Sequence, residues 1–253
     1  MGTDLDYKPA EIMVCAAARE IRNSDLVFVG MRLPLLAFLL AKATHAPEAV
    51  GVFENGLLRD RPAAGPIVTM CDPPNVTGAL ACTSLREVMG LLQQGRVTLG
   101  FIGGAQVDEY GNLNTTLVGR TRLPGSGGGA DIASLARRLV IIMNHQRRRF
   151  VPRVDYVTSP GHGDGTGWRT GRNLDGGGPS ALVTTYGLFR FDPATGRAVL
   201  AGLHTGVDLE TVRRETGWDL AVSPELKETP RPSPEELKLI RRYDPHGFWT
   251  GRD

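Results

Sequence analysis

The most constraining feature of this 253-residue chain is an alternation repeated within about its first fifty residues. Helix-period apolar spacing gives way to a short β-branched run, and the pattern then recurs. Pro9 can take the first position of a helix reaching about Arg22, with Ile12, Met13, Ala16, Ala17 and Ile21 on one side. Asp25 to Gly30 reads as a buried strand closing on glycine. A second helix over 35–43 is broken at His45-Ala46-Pro47, and Ala49 to Phe53 is the next strand. Parallel neighbours need a crossover, usually helical. Two such alternations therefore predict βαβ units and an open, mostly parallel sheet flanked by helices.

Further along, Pro62, Gly65, Pro73 and Pro74 keep 57–72 loop-like. Ser84 caps a helix over 85–94, with Glu87 completing a capping-box pattern. Strands are expected at 97–102, 113–118, 139–143 and 154–158, and a hairpin at 181–191 and 198–204. Asp208 and Ser233 cap the last two helices. The stretch 159–179 is a long glycine-rich loop, of a length usually functional or mobile. No repeat and no linker divides the chain, so residues 1–253 are expected to form one domain with a β-rich C-terminal portion.

Composition excludes several classes. Hydrophobic residues at 41% and charged residues at 22% fit an ordinary globular protein. A net charge of +2 provides no basic field for nucleic acid or a membrane surface. Three cysteines are too few and odd in number for a disulfide framework, which favours a reducing, cytoplasmic setting. Met1 to Pro9 lacks the apolar core of a signal peptide, and 33–43 is far short of a membrane span.

Chemistry concentrates in two stretches. Val50-Gly51-Val52-Phe53-Glu54-Asn55-Gly56 sets one carboxylate at the carboxyl end of a buried strand, the edge where open α/β sheets bind ligands. A solvated acid beside an Asn-Gly pair that merely closes a hairpin is the plain alternative. The run Gly125-Ser126-Gly127-Gly128-Gly129 can turn backbone N–H groups toward one point, a cradle for a phosphate or a developing oxyanion. A flexible loop is its plain alternative. No Lys-Ser/Thr pair follows, so it is not a phosphate-binding P-loop. His145, His162 and His204 have no metal-ligand spacing, and no metal is expected. His162 reads as a solvated loop residue ahead of a substrate contact. Cys71 and Cys82 read as buried thiols, and Arg147-Arg148-Arg149 as a solvated face or partner contact.

Five segments in order carry a resemblance that runs over about residues 10–205. They are Leu40-Ala41-Lys42-Ala43-Thr44-His45-Ala46-Pro47; Glu54-Asn55-Gly56; Gly103-Gly104-Ala105-Gln106-Val107-Asp108 with Gly111-Asn112-Leu113-Asn114; Leu123-Pro124-Gly125-Ser126-Gly127-Gly128; and Phe150 through Thr158-Ser159-Pro160-Gly161. Together they resemble the β subunit of family I coenzyme A transferases, the glutaconate CoA-transferase type in particular. The resemblance implies the open α/β fold shared with sugar-phosphate isomerases, a second, α-type subunit, and an active site at their junction. It makes Glu54 the covalent nucleophile in moving CoA from an acyl-CoA to a free carboxylic acid. A carboxylate of ordinary acidity is already ionised at neutral pH, so such a nucleophile needs no general base. The N–H groups of Gly127 and Gly128 are then the oxyanion donors, and Gly103, Gly104, Gln106 and Asn114 contact the acyl group or CoA. A coenzyme A thioester is expected as substrate, with no tightly bound cofactor. Two other readings stay open: a CoA-thioester hydrolase or ring-opening enzyme of steroid breakdown on this fold, and a non-catalytic binding protein. The donor and acceptor acids are not legible.

Overall fold

A computed structural model describes residues 6–251, which fall into two compact units. The first holds residues up to Phe101 and from Arg231 onward, and the second spans Ile102–Pro230. The expectation that Met1–Pro9 carries no signal peptide falls mostly on residues outside those described.

The first unit opens with α1 (Pro9–Ala18), which has proline in its first turn as expected and ends a turn earlier than the periodicity implied. Next come β1 (Leu26–Val29), α2 (Leu33–Ala43) and β2 (Val50–Phe53). β3 (Leu57–Arg59), α3 (Pro73–Val76), β4 (Ala81–Cys82), α4 (Leu85–Gln93) and β5 (Leu99–Ile102) complete this part. The strands run in the order β5-β1-β2-β3-β4. β1 is parallel to both β5 and β2, while β2-β3 and β3-β4 are antiparallel. Helix α2 is apolar around its circumference, and Leu35 through Ala41 are all buried. Such a helix belongs in the interior. Gly51 lets the Phe38 ring lie against β2, where an added Cβ would come within 2.6 Å of it. Ser84 caps α4 by accepting from the Glu87 N–H at 3.3 Å.

The second unit contains two short hairpins, β6 (Gln106–Val107) with β7 (Leu113–Asn114) and β8 (Leu117–Val118) with β9 (Thr121–Arg122). α5 (Gly129–Leu135), β10 (Leu139–Ile142), β11 (Pro179–Val183), β12 (Gly187–Phe191), β13 (Ala198–Leu203), α6 (Leu209–Glu215) and β14 (Ala221–Glu228) follow. Strand order is β14-β13-β12-β11-β10. The outer pairs β10-β11 and β13-β14 are parallel, and β11-β12-β13 form an antiparallel meander, the expected β-rich C-terminal portion. The chain then returns to the first unit with α7 (Pro234–Tyr243), opened by the expected Ser233 cap, which Glu236 completes as a capping box, and burying Leu237, Ile240 and Tyr243. The open, mostly parallel α/β architecture with flanking helices is borne out.

Three local expectations need correction. The segment 154–158 is not a strand, because its backbone N–H groups go to scattered partners, that of Thr158 to the Leu113 carbonyl. The Asp155 N–H donates to Gln106 Oε1, and Tyr156 and Val157 lie exposed. The strand expected over 113–118 breaks in two. Asn114 Oδ1 accepts from the N–H groups of Thr116 at 2.9 Å and Leu117 at 3.2 Å, bending the chain between β7 and β8. The stretch 57–72 is not all loop, since β3 continues the chain straight out of the Asn-Gly turn.

Candidate active site

Glu54 occupies the second position of a tight turn that joins β2 to β3. The Gly56 N–H donates to the Phe53 carbonyl at 2.9 Å and closes the turn. The hairpin reading of Asn-Gly and the strand-end reading of Glu54 are therefore both correct. Phe53 and Val52, just before it, are buried, and the Phe53 ring stands edge-on to Phe38 at 6.1 Å. This seating leaves the next side chain at the carboxyl end of a parallel strand. Glu54 is half-buried and makes no hydrogen bond or ion pair with any described residue.

The turn is gripped from both sides. Gly56 has φ +96°, and a Cβ there would meet the Thr83 carbonyl oxygen at 2.6 Å. Only glycine combines that backbone conformation with that approach. The Gly56 carbonyl accepts from the Thr83 N–H at 2.8 Å and the Thr83 hydroxyl at 2.7 Å. Asn55 Nδ2 donates to the Met70 carbonyl at 3.1 Å and touches Cys71 Sγ at 3.3 Å, while its Oδ1 accepts from the Leu57 N–H at 3.3 Å. Cys71 and Cys82 are exposed, contrary to the expectation of buried thiols, because 71 lies on a surface loop and 82 on the edge strand β4. Cys15 is the buried one, its thiol pushed up to about 12 mainly by burial.

The remaining expected residues lie in the second unit. Gly125 and Gly127 take positive φ, +97° and +48°, and Gly128 precedes the first turn of α5. The N–H of Gly125 is spent on the Thr115 carbonyl at 2.9 Å and that of Gly129 on the Ser126 carbonyl at 2.8 Å. Those of Gly127 and Gly128 have no partner among the described residues. Gly103 is exposed and Gly104 half-buried at the end of β5. A Cβ on Gly103 would sit 2.9 Å from the Ile142 carbonyl. Gln106 and Asn114 are buried against each other: Asn114 Nδ2 donates to Gln106 Oε1 at 2.7 Å and to the Leu117 carbonyl at 2.6 Å. With its Oδ1 also taken, the Asn114 amide has no capacity left for a ligand.

His145 and His162 have ring nitrogens engaged within the fold. His145 lies under Phe150 at 3.7 Å with its ring nitrogens on the hydroxyls of Thr184 and Thr216, and burial pushes its pKa down to about 3. His162 is not a solvated loop residue: its Nε2 meets the Pro179 carbonyl at 2.9 Å, and burial lowers its pKa. Arg147 and Arg148 are exposed, as expected of a solvated face, although Arg147 also donates to the Thr216 carbonyl; Arg149 is half-buried and donates to the Gly104 carbonyl.

Sequence reasoning passed over four polar residues that hold these loops. Arg59 and Asn75 are buried beneath 60–77, and Asp108 and Arg169 anchor the long loop. Arg169 spreads its guanidinium over the carbonyls of Ala133, Ser134, Pro160, Gly161 and Gly176. The loop walls a cleft of about 480 Å³ that includes His162, Arg169 and Phe191 and none of the expected site residues. Asp108 accepts from the N–H groups of Tyr110 and Asn112 and from Asn112 Nδ2, and Asn112 in turn binds the backbone of Gly161 and Gly163. The signal available in the sequence was an acid and an amide four apart around Gly111, the spacing of a side-chain-closed turn. Among the described residues, no group of three or more His, Cys, Asp or Glu is placed to hold a metal ion. Nor is any helix among them long and apolar enough to cross a membrane.

Comparison with known proteins identifies the family. The family model described as coenzyme A transferase matches residues 10–215. The chain is 36% identical over 244 residues to the B subunit of 3-oxoadipate CoA-transferase from Pseudomonas knackmussii, covering 94% of each. It is 37% identical over 256 residues to the B subunit of glutaconate CoA-transferase from Acidaminococcus fermentans, covering 95% of this chain and 94% of that one. The crystal structure of glutaconate coenzyme A-transferase from the same organism superposes with a TM-score of 0.89 at 33% identity, over 98% of this chain and 99% of that chain. A strand-end glutamate without partners and a glycine run with unspent N–H groups thus sit in a fold and sequence shared with these enzymes, and the chain belongs to the coenzyme A transferase family.

Proposed function

We propose that the chain is the glutamate-bearing subunit of a two-subunit CoA-transferase, working with an α-type partner by ping-pong chemistry through a glutamyl-CoA thioester on Glu54. The observation that carries this is the unpaired Glu54 side chain on a turn held in place by the Asn55 side chain and the Gly56 carbonyl. A carboxylate held in place without a counter-charge is free to act as a nucleophile.

A Glu54 oxygen attacks the thioester carbonyl carbon of the acyl-CoA. The C–S bond breaks, giving an acyl-glutamyl anhydride and CoA thiolate. The thiolate then attacks the glutamyl carbonyl, and the first acid leaves as its carboxylate. An incoming carboxylate attacks the glutamyl thioester to form a second anhydride and release the thiolate. Attack of that thiolate on the new acyl carbon yields the new acyl-CoA and restores Glu54. No proton is gained or lost, which suits a site without a histidine base.

Each addition places negative charge on a carbonyl oxygen. The unspent N–H groups of Gly127 and Gly128 are the donors we assign to it, each worth about 2.7–4 kcal/mol when well aimed. Gly103 and Gly104 offer close backbone approach to the CoA. Gln106 and Asn114 act through the shape of the 104–117 turn, since the Asn114 amide is spent on it. Remote contacts with the long CoA moiety supply binding energy realised in the transition state. Water must be kept from the anhydride, because its entry makes a hydrolase. 3-Oxoadipate and glutaconate, which name the two similar enzymes, are both dicarboxylates, and a dicarboxylic acid is the substrate class we favour.

The test is mass spectrometry of the chain with its α-type partner after incubation with acyl-CoA. A CoA-sized adduct on the Glu54 peptide is expected, and none in Glu54→Ala. Transfer by Glu54→Ala at the parent rate refutes the nucleophile. Release of free CoA thiol at the same rate without an acceptor acid identifies a hydrolase instead.

A further inference from the structure

The segment between β3 and β4 holds the Glu54 turn through a relay that begins at a buried cation. Arg59 on β3 pairs with Gly51 of β2 and is 1% exposed. Its Nη1 donates to the main-chain carbonyls of Asn75 and Thr77 and its Nη2 to that of Pro62, and no carboxylate pairs with it among the described residues. Burial, which disfavours the charged form, lowers its pKa. Asn75 is fully buried and donates its Nδ2 to the Met70 carbonyl at 2.8 Å. The same carbonyl oxygen accepts from Asn55 Nδ2 at 3.1 Å. Asn55 is the residue after Glu54 in the turn. The guanidinium thus fixes the backbone at 75, the Asn75 amide fixes the carbonyl of 70, and that carbonyl fixes Asn55.

Asn75 Oδ1 is buried without a hydrogen-bond partner. An orphaned acceptor costs stability, and an apolar side chain of similar size would carry no such cost. Packing alone does not account for an asparagine here, whereas the donation to Met70 does.

We infer that Asn75 is a positioning residue for Glu54: it holds the carbonyl on which Asn55 hangs and thereby fixes the aim of the carboxylate. The inference rests on the reading of Glu54 as nucleophile. It predicts that loss of the Nδ2 donor slows formation of the enzyme–CoA adduct without weakening acyl-CoA binding.

The experiment compares the parent, Asn75→Leu, Asn75→Asp and Glu54→Ala, each purified with the α-type partner. The readouts are kcat, KM for acyl-CoA, the rate of adduct formation on the Glu54 peptide, thermal midpoint, and amide exchange over 53–57. Asn75→Leu, which also removes the orphaned oxygen, is expected to keep or exceed the parent midpoint. Its kcat and adduct rate should fall tenfold to about a hundredfold at unchanged KM, the range that a displaced reacting group produces. Asn75→Asp keeps the size, lacks the donor, and should slow to the same degree. In both, exchange at Gly56 and Leu57 should quicken. Parent-like kcat in the two variants overturns the inference. So does a fall in kcat matched by a fall in midpoint, or failure of both variants to fold, since either makes Asn75 a packing residue. Glu54→Ala separates the two ideas. If it transfers CoA at the parent rate, the nucleophile reading has failed regardless of Asn75. If it is inactive while the Asn75 variants keep parental kcat, only the positioning role has failed.

Discussion

Gly56→Ala is the sharpest single perturbation of the Glu54 turn. At φ +96° a side chain is strained, at about 1–2 kcal/mol for left-handed backbone. The added Cβ would also lie 2.6 Å from the Thr83 carbonyl oxygen, 2.7 Å from its carbon and 2.8 Å from Ser84 Cα. All three are backbone atoms, so no rotamer change relieves the contact. The turn and β4 must move apart, weakening the two hydrogen bonds from Thr83 to the Gly56 carbonyl, each worth about 0.5–1.5 kcal/mol. Together these effects cost about 2–5 kcal/mol, a large part of the 5–15 kcal/mol that holds a typical domain. Urea unfolding followed by circular dichroism should show the midpoint lowered by about 1–2.5 M at an m-value of about 2 kcal/mol/M. In the fraction still folded at low temperature, adduct formation on the Glu54 peptide should be lost as well. A variant with the parent midpoint to within about 0.5 kcal/mol and full labelling would refute the claim that this turn geometry seats Glu54.

Two other outcomes follow from the second unit. Burial raises Asp108 from 3.8 to about 6, so the native state holds its proton more tightly than the unfolded chain does. Its contribution to stability is complete below about pH 4 and is lost as pH rises through about 6, an effect on the order of 3 kcal/mol. The difference in unfolding free energy between Asp108→Asn and the parent should therefore grow in the variant's favour from pH 4 to pH 7; a constant difference would contradict the assignment. Arg169→Met leaves five carbonyls without their donor, and Arg169→Lys lacks the planar fork to reach them all. Limited proteolysis at Arg172 should be at least tenfold faster in both, and parental rates would show that the loop is held by other contacts.

What the sequence displayed were features decided locally. Proline in the first turn of α1, the Ser84 and Ser233 caps and the apolar run 35–41 of α2 each depend on neighbours a few residues away. Glu54 was legible for the same reason, since a β-branched run ending on one acid and a turn pair is a contiguous signal. β3 and β4 were hidden because each is a short strand whose existence depends on pairing with the previous one, and β3 ends on an arginine. β14 carries Pro224 and three charged residues, which mask its pairing with β13. The segment 154–158 misled because alternating apolar residues do not reveal that a distant side chain, that of Gln106, takes the Asp155 N–H. Arg59, Asn75 and Arg169 were invisible as supports, since the groups they hold are main-chain carbonyls, which every residue type has.

That last property has a consequence for how the loops can vary. A guanidinium bound to carbonyl oxygens is indifferent to which amino acids supply them. The stretches gripped by Arg59 and Arg169 can exchange nearly every outward-facing side chain and still follow the same path. Two buried cations thus leave the exterior of 60–77 and 160–176 open to resurfacing, while the scaffold beneath stays put.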